Sequence, residues 1–307
     1  MAALRAKVED VNKCVVAVDV EQPFSDVPTI ESSQTEVAGL VVANVNSTYL
    51  VLTSSSLLEP GMNYIVRFSD EVQTEAAFVC RNTASGIGIV SINASKLTAE
   101  QRNSIAVAQL DNSYMVKQGD LVIASGKLYE TSKGVSYGTI AGSKVEYSKD
   151  SGYEVFETSV SITAGGFAIL FNSEGNVVGV SKASTDTSSK FIGISDLKAQ
   201  IETMINEHGI MYCGITGQNV TEELAAKYGL PSGVYISNVD IDSPAYYAGL
   251  QAGDVISAIN GQSILTIQQF SEKLYQCESG QQISITAKRF GGDEYKDMTF
   301  NAVIAVK

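Results

Sequence analysis

The side chains that most often carry proton transfer and metal binding are scarce in this sequence. Its 307 residues include one histidine, His208. Every mechanism that uses an imidazole therefore has a single candidate, and metal sites built from several histidines are excluded. His208 comes just before Gly209 at the end of a predicted helix, where a histidine more often interacts with the helix dipole than takes part in catalysis.

The four cysteines do not form a metal-binding or redox motif. They are Cys14, Cys80, Cys213 and Cys277. Because no Cys-x-x-Cys spacing occurs, the sequence predicts neither a zinc site nor a thioredoxin-like redox site, and four buried free thiols are expected. The glycine-rich segments at Gly86 and Gly166 are not followed by a lysine or by the start of a helix, so phosphate binding is not expected either. We therefore predict no metal and no cofactor.

The net charge limits the classes of partner. The chain has 21 lysine and arginine residues against 34 aspartate and glutamate residues, a formal charge of −13. This excess of acidic residues argues against nucleic acids and anionic membranes as main partners, because phosphate binding depends largely on clustered basic residues. The sequence lacks an apolar stretch of the roughly 18 residues that a membrane-spanning helix needs, and its first residues lack the apolar core of a signal peptide. Such a sequence suits a cytoplasmic protein, or one whose N-terminal anchor lies outside this chain.

Short β-branched runs fill the chain as far as residue 181. The first run is Cys14–Val20 and the last is Val177–Ser181, and clusters of glycine, asparagine, serine and aspartate separate the runs. Many short strands with almost no helical periodicity predict a β-barrel or a β-sandwich. Ser173–Asn176 is the predicted turn of a hairpin. A short amphipathic helix is expected before the first strand, over residues 3–13.

The pattern changes near residue 195. A helix is predicted to begin at Ser195 or Asp196 and to end at Gly209, since glycine suits the left-handed conformation that closes many helices. We place a domain boundary here, with one domain over residues 1–207 and a second over residues 208–307. The length of the chain agrees with two domains. The second domain alternates strands with helices, as in a small α+β module.

One segment of the second domain carries several turn and cap signals at close spacing. Ser243 caps a short helix that starts at Pro244, Gly249 ends this helix, and Asn260 and Gly261 form a tight turn after the next strand. The segment that carries these signals, GVYISNVDIDSPAYYAGLQAGDVISAING, closely resembles the PDZ family.

The resemblance implies that the second domain binds peptides. PDZ domains add an extended peptide, usually a C-terminus, to a sheet edge beside a helix. Four residues stand where such domains carry the loop whose backbone N–H groups hold the terminal carboxylate: Tyr212, Cys213, Gly214 and Ile215. Thr266–Cys277 would be the flanking helix. The alternative is that this loop only begins the first strand of the domain.

Three segments of the first domain resemble the HtrA/DegP family of trypsin-type serine proteases. They are YLVLTSSSLL at Tyr49–Leu58, SGIGIVSI at Ser85–Ile92 and the longer segment Val155–Val180. The helix within Phe191–Gly209 also matches the one that leads into the PDZ domain of that family. The resemblance covers nearly the whole chain and implies a mainly β fold, in which a trypsin-like double β-barrel is followed by a small α+β PDZ domain.

The resemblance places the catalytic triad of that family on three residues that cannot form one. The histidine position falls on Ser56, the aspartate position on Gly86 and the nucleophile position on Gly166. The reaction needs a hydroxyl to attack, an imidazole to take its proton and a carboxylate to orient the imidazole. A glycine has no side chain, and a serine ionises at far too high a pH to act as the base. No catalytic residue is therefore predicted.

The leading hypothesis is a catalytically inactive HtrA-like serine protease homologue. It would bind peptides or protein C-termini through the PDZ domain, with a regulatory, scaffold or quality-control role, as a homo-oligomer or in assembly with an active relative. Because family members commonly act outside the cytoplasmic membrane, the resemblance implies an extracytoplasmic protein whose membrane anchor is absent from this chain. The alternatives are an active serine endopeptidase with an unrecognised nucleophile and a purely structural protein with an empty PDZ groove.

Overall fold

A computed structural model describes most of the chain. The described residues are 2–20, 36–69, 72–129, 133–182, 184–206 and 209–306. They form two compact units, of which the first holds the residues up to Lys144 together with Val155–Leu197. The second holds Val145–Glu154 together with the residues from Lys198 onward. The predicted domain boundary between residues 207 and 208 stays a prediction, and His208 lies outside the described residues.

The first unit begins with a helix and a closed six-stranded barrel. Its elements are α1 (Ala2–Val11), β1 (Val15–Val20), β2 (Val37–Val45), β3 (Thr48–Ser54), β4 (Asn63–Ser69), β5 (Val72–Asn82) and β6 (Ile87–Asn93). The strand order is β1-β2-β3-β6-β5-β4, and β1 pairs with β4 to close the barrel. Val18, Leu52 and Ile89 are fully buried, because β-branched and leucine side chains on the inner face remove apolar surface from water. The helix predicted over residues 3–13 is present and ends at Val11.

A second closed barrel completes this unit. Between the barrels, α2 (Ala99–Ser104) begins with a capping box formed by Thr98 and Gln101. The strands of the second barrel are β7 (Leu121–Gly126), β8 (Gly134–Ser148), β9 (Ser151–Ile162), β10 (Ala168–Phe171), β11 (Val177–Ser181) and β12 (Ser188–Gly193). Their order is β10-β11-β12-β9-β8-β7, closed by pairing of β7 with β10. The predicted hairpin turn at Ser173–Asn176 is confirmed, since it joins the antiparallel pair β10 and β11.

The hairpin of β8 and β9 is the longest in the barrel. Its tip, Val145–Glu154, belongs to the second compact unit. At the tip, Asp150 has a φ of 55°, in the left-handed region that aspartate tolerates better than most residues.

The second unit is a small α+β module. Its elements are α3 (Lys198–Ile205), β13 (Met211–Tyr212), β14 (Ile215–Asn219), α4 (Glu222–Tyr228), β15 (Val234–Val239), α5 (Pro244–Ala248), β16 (Val255–Ile259), β17 (Gln262–Ser263), α6 (Ile267–Tyr275), β18 (Gln282–Phe290), β19 (Tyr295–Val303) and β20 (Ala305–Val306). The main sheet has the order β14-β15-β16-β18-β19, so that β14 is an edge strand, while β17 pairs with β16 and β13 with β20. The predicted fold class, two β-barrels followed by an α+β module, is confirmed.

The predicted caps of the module are present. Ser243 accepts a hydrogen bond from the Tyr246 N–H at the start of α5, and Gly249 ends that helix with a φ of 89°. In α6, Ile267, Phe270 and Leu274 form a fully buried face that packs into the core of the module. The helix thereby lies over the sheet with a fixed orientation.

Candidate functional site

The predicted nucleophile position, Gly166, lies in the loop between β9 and β10 and is buried. A Cβ atom at this glycine would lie 2.6 Å from Ile162 Cγ2 and 2.9 Å from the Thr163 carbonyl oxygen, and still closer to the Lys127 carbonyl oxygen. Real Cβ atoms essentially never approach other atoms so closely. The position is therefore filled by its surroundings and leaves no room for a serine side chain in this loop conformation.

The backbone donors of the same loop are already engaged. The Gly166 N–H donates to the Thr163 carbonyl at 2.9 Å, and the Gly165 N–H donates to the Ser184 carbonyl at 3.0 Å. The Ala168 N–H donates to Ser181 Oγ at 2.9 Å. An oxyanion hole needs N–H groups that point at the developing negative charge and are not bound elsewhere. These three donors are therefore bound within the chain.

The other two predicted triad positions lie next to each other. The Ser55 N–H donates to the Gly86 carbonyl at 3.0 Å, which brings the end of β3 against the start of β6. Ser56 is exposed, and its hydroxyl lies 2.8 Å from the Ser54 hydroxyl. Gly86 is buried and has a φ of 77°, a conformation that favours glycine. The pair of positions thus offers hydroxyl groups and carbonyls, with no imidazole or carboxylate on Ser56 or Gly86.

The loop of Gly166 lies close to the first barrel, because Gly126 of β7 contacts both this loop and β2. A Cβ at Gly126, the last residue of β7, would lie 2.6 Å from the Phe167 carbonyl oxygen and 3.0 Å from Ala38 Cβ. Ala38 belongs to β2, and its carbonyl accepts a hydrogen bond of 2.7 Å from the Thr53 hydroxyl of β3. The strand that leads to Ser56 therefore lies near the loop of Gly166. The assignment of Ser56, Gly86 and Gly166 to a vacated triad stays a prediction.

The cysteines behave mostly as the sequence predicts. None of the four forms a disulfide, and three are buried, whereas Cys80 is half-buried. The prediction of a buried thiol at Cys80 is therefore wrong, because β5 turns part of its side chain toward solvent. Burial raises the pKa of Cys14 to about 12, which keeps it protonated and unreactive at neutral pH.

The four residues predicted to hold a peptide carboxylate form the connection between β13 and β14. Gly214 has a φ of 93°, and a Cβ there would lie 2.6 Å from Ser243 Oγ, so only glycine fits. The Tyr212 hydroxyl donates to Asp240 at 2.6 Å, and the Asp240 N–H donates back to the Gly214 carbonyl at 2.8 Å. Cys213 is fully buried. The loop is thus rigidly held, with its backbone N–H groups pointing to one place.

A carboxylate occupies that place, and it belongs to Asp150. The Cys213 N–H donates to Asp150 Oδ2 at 3.0 Å, and the Ile215 N–H donates to Oδ1 at 2.8 Å. The Gly214 N–H lies 2.9 Å from both oxygens. Asp150 in turn donates its own N–H to the Ile215 carbonyl at 2.8 Å. The loop therefore binds the Asp150 carboxylate through three N–H groups and the Asp150 main-chain N–H through one carbonyl.

The surroundings of this carboxylate decide its ionisation. Asp150 is 3% exposed, and burial raises the pKa of its carboxyl to about 6, although the three N–H donors act in the opposite direction. The charged and titratable groups that face it are Lys149, Tyr212, Cys213, Asp240 and Tyr275. Of these, Asp240 raises the Asp150 pKa further, while Lys149 forms an ion pair with Asp240.

Sequence reasoning missed Asp150. In the sequence it is one acid in a polar turn, Lys-Asp-Ser-Gly, with nothing to distinguish it from other exposed turns. Only the pairing of residues far apart in the chain brings it to the loop. Within the described residues, no helix is long and apolar enough to cross a membrane.

Two protein families match this chain. The trypsin-like peptidase domain matches residues 37–180, and the PDZ domain matches residues 235–289. A protein of Pseudomonas putida (strain W619) named "Probable periplasmic serine endoprotease DegP-like" is 26% identical over 84% of this chain and 55% of the relative. A protein of the same description from Marinomonas sp. (strain MWYL1) is 25% identical over 92% of this chain and 61% of the relative. The chain therefore spans about half the length of the curated relatives it matches.

Solved structures share the whole fold. The structure "HtrA-type protease AlgW with tripeptide" aligns with a TM-score of 0.67 at 20% identity, covering 98% of this chain and 97% of the other. The "serine endoprotease from Yersinia pestis" aligns with a TM-score of 0.62 at 18% identity, over 98% and 97% of the two chains. Both barrels and the module that follows them are included in these alignments. The order of a trypsin-like peptidase domain followed by a PDZ domain, together with the DegP-like relatives, supports the assignment of this chain to the HtrA-like family.

Proposed function

We propose that this protein is a catalytically inactive HtrA-like serine protease homologue that binds peptides or protein C-termini through its PDZ domain. The observation that carries the first half is the crowding at Gly166, where Ile162, Thr163 and Lys127 occupy the space of a side chain. An active member would need a hydroxyl at this point, because the reaction begins with attack by a serine oxygen.

The remaining chemistry agrees with this proposal. Loss of one triad member in this type of enzyme costs about 10⁴–10⁶ in turnover, and loss of all three costs about as much. Serine at position 56 and glycine at position 86 would supply neither a base nor its orienting carboxylate. Since the Gly166 N–H is bound to the Thr163 carbonyl, the residual stabilisation of an oxyanion is also reduced.

The peptide-binding half rests on the loop from Tyr212 to Ile215. Its three N–H groups converge on one carboxylate, and β14 behind it is an edge strand with main-chain groups that an added strand can use. A solved relative is described as holding a tripeptide, and another structure of it as holding a decapeptide. For this chain, we propose that a peptide adds to β14 with its terminal carboxylate on the loop.

The biological role is proposed from the relatives. Because the matched curated proteins are described as periplasmic, we propose an extracytoplasmic location for this protein. A regulatory, scaffold or quality-control role follows from peptide capture without cleavage. Assembly with itself or with an active relative, and a membrane anchor in a longer form, stay predictions.

Two measurements test the two halves separately. For catalysis, the purified protein is incubated with a fluorophosphonate probe and with casein, beside an active trypsin-fold protease as the positive control. We expect no labelling and no turnover above the buffer blank. Turnover that a serine-protease inhibitor abolishes would establish the alternative, an active endopeptidase with an unrecognised nucleophile.

For binding, a library of peptides with random last residues is presented with free C-terminal carboxylates and, as the matched control, with amidated C-termini. We expect binding of the free carboxylates only, because the loop donates N–H groups to a negatively charged oxygen pair. Equal binding of both libraries contradicts peptide capture by this loop and would favour a structural role.

A further inference from the structure

The tip of the long β8–β9 hairpin has the bonding pattern of a bound peptide. Lys149 pairs antiparallel with Thr216 of the edge strand β14. The next residue, Asp150, donates its N–H to the Ile215 carbonyl at 2.8 Å and places its carboxylate on the three N–H groups of the loop. A strand added to the sheet edge that ends in a carboxylate is the arrangement by which such domains capture a chain terminus.

The tip also reaches the helical side of the same groove. Gly152 packs against Ile267 at the start of α6, and a Cβ on this glycine would collide with the Ile267 side chain. The Ser151 hydroxyl lies 3.5 Å from the Tyr275 hydroxyl near the end of α6. Both Ser151 and Gly152 are buried. The hairpin tip therefore contacts the edge strand, the loop and the helix, which are the three walls of a PDZ peptide groove.

An ion pair between Lys149 and Asp240 also holds the tip. Asp240 in turn accepts the Tyr212 hydroxyl hydrogen bond at 2.6 Å. Two neighbouring side chains therefore hold the tip on the loop: Asp150 directly, and Lys149 through Asp240. A positive φ at Asp150 lets the chain reverse immediately after the carboxylate has been delivered.

We propose that Lys149–Gly152 is an internal ligand of the PDZ groove, with the Asp150 side chain in the place of a peptide C-terminus. A peptide must displace the hairpin tip before it can bind, so the apparent affinity of the groove is reduced by the fraction of molecules in which the tip is bound. This inference rests on the proposed peptide binding. The groove would thus be occupied by a segment of the same chain, which it recognises by the carboxylate of a turn residue.

The first test removes the internal carboxylate while it keeps the turn. Asp150→Gly suits the left-handed backbone, and Asp242→Gly is a matched control, because Asp242 is an exposed aspartate of the same module with a φ of 61°. Fluorescence anisotropy measures binding of the free-carboxylate peptide library to the complete chain. We expect Asp150→Gly to bind at least about tenfold more tightly than wild type, and Asp242→Gly to bind as wild type does.

A second variant holds the tip in place. Paired residues of antiparallel strands have Cα separations that a disulfide can span, so the double substitution Lys149→Cys and Thr216→Cys should permit a bond between them. Oxidised protein is expected to lose peptide binding and to regain it on reduction, whereas each single substitution should respond to neither treatment. Peptide binding that is equal in the oxidised and reduced double variant would overturn the proposal.

Amide hydrogen exchange separates this proposal from the proposed function. In wild type without peptide, the N–H groups of Cys213, Gly214 and Ile215 should be protected, and Asp150→Gly should make them exchange at least about tenfold faster. If no peptide binds to either protein, peptide capture fails, and the exchange data still decide whether Asp150 occupies the loop. Equal exchange in wild type and Asp150→Gly, or equal peptide affinity, would refute the internal ligand.

Discussion

Substitution of Gly166 by serine tests whether the predicted nucleophile position has closed. The new Cβ would lie 2.6 Å from Ile162 Cγ2 and 2.9 Å from the Thr163 carbonyl oxygen, with the Lys127 carbonyl oxygen closer still. Two of these three neighbours are backbone atoms, which cannot move away by a change of rotamer. The loop must therefore shift as a whole to accept the side chain.

The cost of this shift can be worked from general magnitudes. Overpacking of a well-packed site costs typically 1–3 kcal/mol, and displacement of backbone places Gly166→Ser at the upper end, at about 3 kcal/mol. For a unit of roughly 150–250 residues, each 1 kcal/mol lowers the melting temperature by about 2–4 °C. We therefore expect the melting temperature of the first unit to fall by roughly 6–12 °C.

Differential scanning calorimetry on matched glycine variants isolates the crowding. Gly142→Ala and Gly165→Ala both add a Cβ that meets no atom within 4 Å, and Gly165 alone has a left-handed φ of 68°. Gly142→Ala should leave the free energy of unfolding within about 0.5 kcal/mol of wild type. Gly165→Ala should cost about 1–2 kcal/mol, which is the cost of the backbone conformation alone.

Catalysis is tested with a triple variant that contains the same substitution. The triple variant Ser56→His, Gly86→Asp and Gly166→Ser restores all three side-chain types, and we expect it to remain unlabelled by a fluorophosphonate probe. If Gly166→Ser melts within 2 °C or so of wild type, or if the triple variant becomes labelled, the space at this position is open and the reasoning fails.

Three other predictions concern ionisable groups. Because the Asp150 pKa is raised from 3.8 to about 6, the contact of Asp150 with the loop is favoured below pH 4 and weakens as the pH rises through 6; without peptide, the protection of the Cys213, Gly214 and Ile215 N–H groups at pH 4, 5, 6 and 7, corrected for intrinsic exchange, should therefore fall by up to roughly 100-fold, and a flat profile would contradict it. Arg289 forms two bonds of 2.7 Å to the buried Asp254, so Arg289→Ala should destabilise the module by about 3–5 kcal/mol in urea unfolding. The neighbouring exposed pair makes Lys288→Ala the control, with a loss below about 1 kcal/mol, and similar losses would refute the difference. In native protein at pH 8, iodoacetamide should modify Cys80 before the three buried thiols, as mass spectrometry would show.

The barrels could be predicted because their signals are local. The run predicted as a strand over Cys14–Val20 is β1, Val15–Val20, and the one over Val177–Ser181 is β11, with the same bounds. A β-branched stretch and the turn residues beside it are enough to mark a buried strand. The caps of α5 can also be predicted from the sequence, since Ser243 and Gly249 bond to residues of the same helix.

The long hairpin was underestimated for a physical reason. The sequence predicts only short strands in this part of the chain, whereas β8 runs over Gly134–Ser148 and β9 over Ser151–Ile162. The outer part of β8 is polar and half-exposed, so composition gives no sign of a strand there. The function proposed for this stretch depends on the contact of its tip with β14 and α6, and a local sequence pattern does not contain such contacts.

At the candidate site, too, the sequence does not show which distant residue makes the hydrogen bonds. The resemblance of Tyr212–Ile215 to the carboxylate-binding loop of PDZ domains predicts an anion site, and in the structure the left-handed Gly214 aligns consecutive N–H groups. It does not predict which anion, since a peptide terminus and an aspartate side chain offer the same two oxygens. The three donors bound to Asp150 are the ones that the proposed peptide would use. If the proposal holds, the affinity of the groove for a peptide is a difference between two binding free energies, and its size depends on a turn 63 residues before the loop.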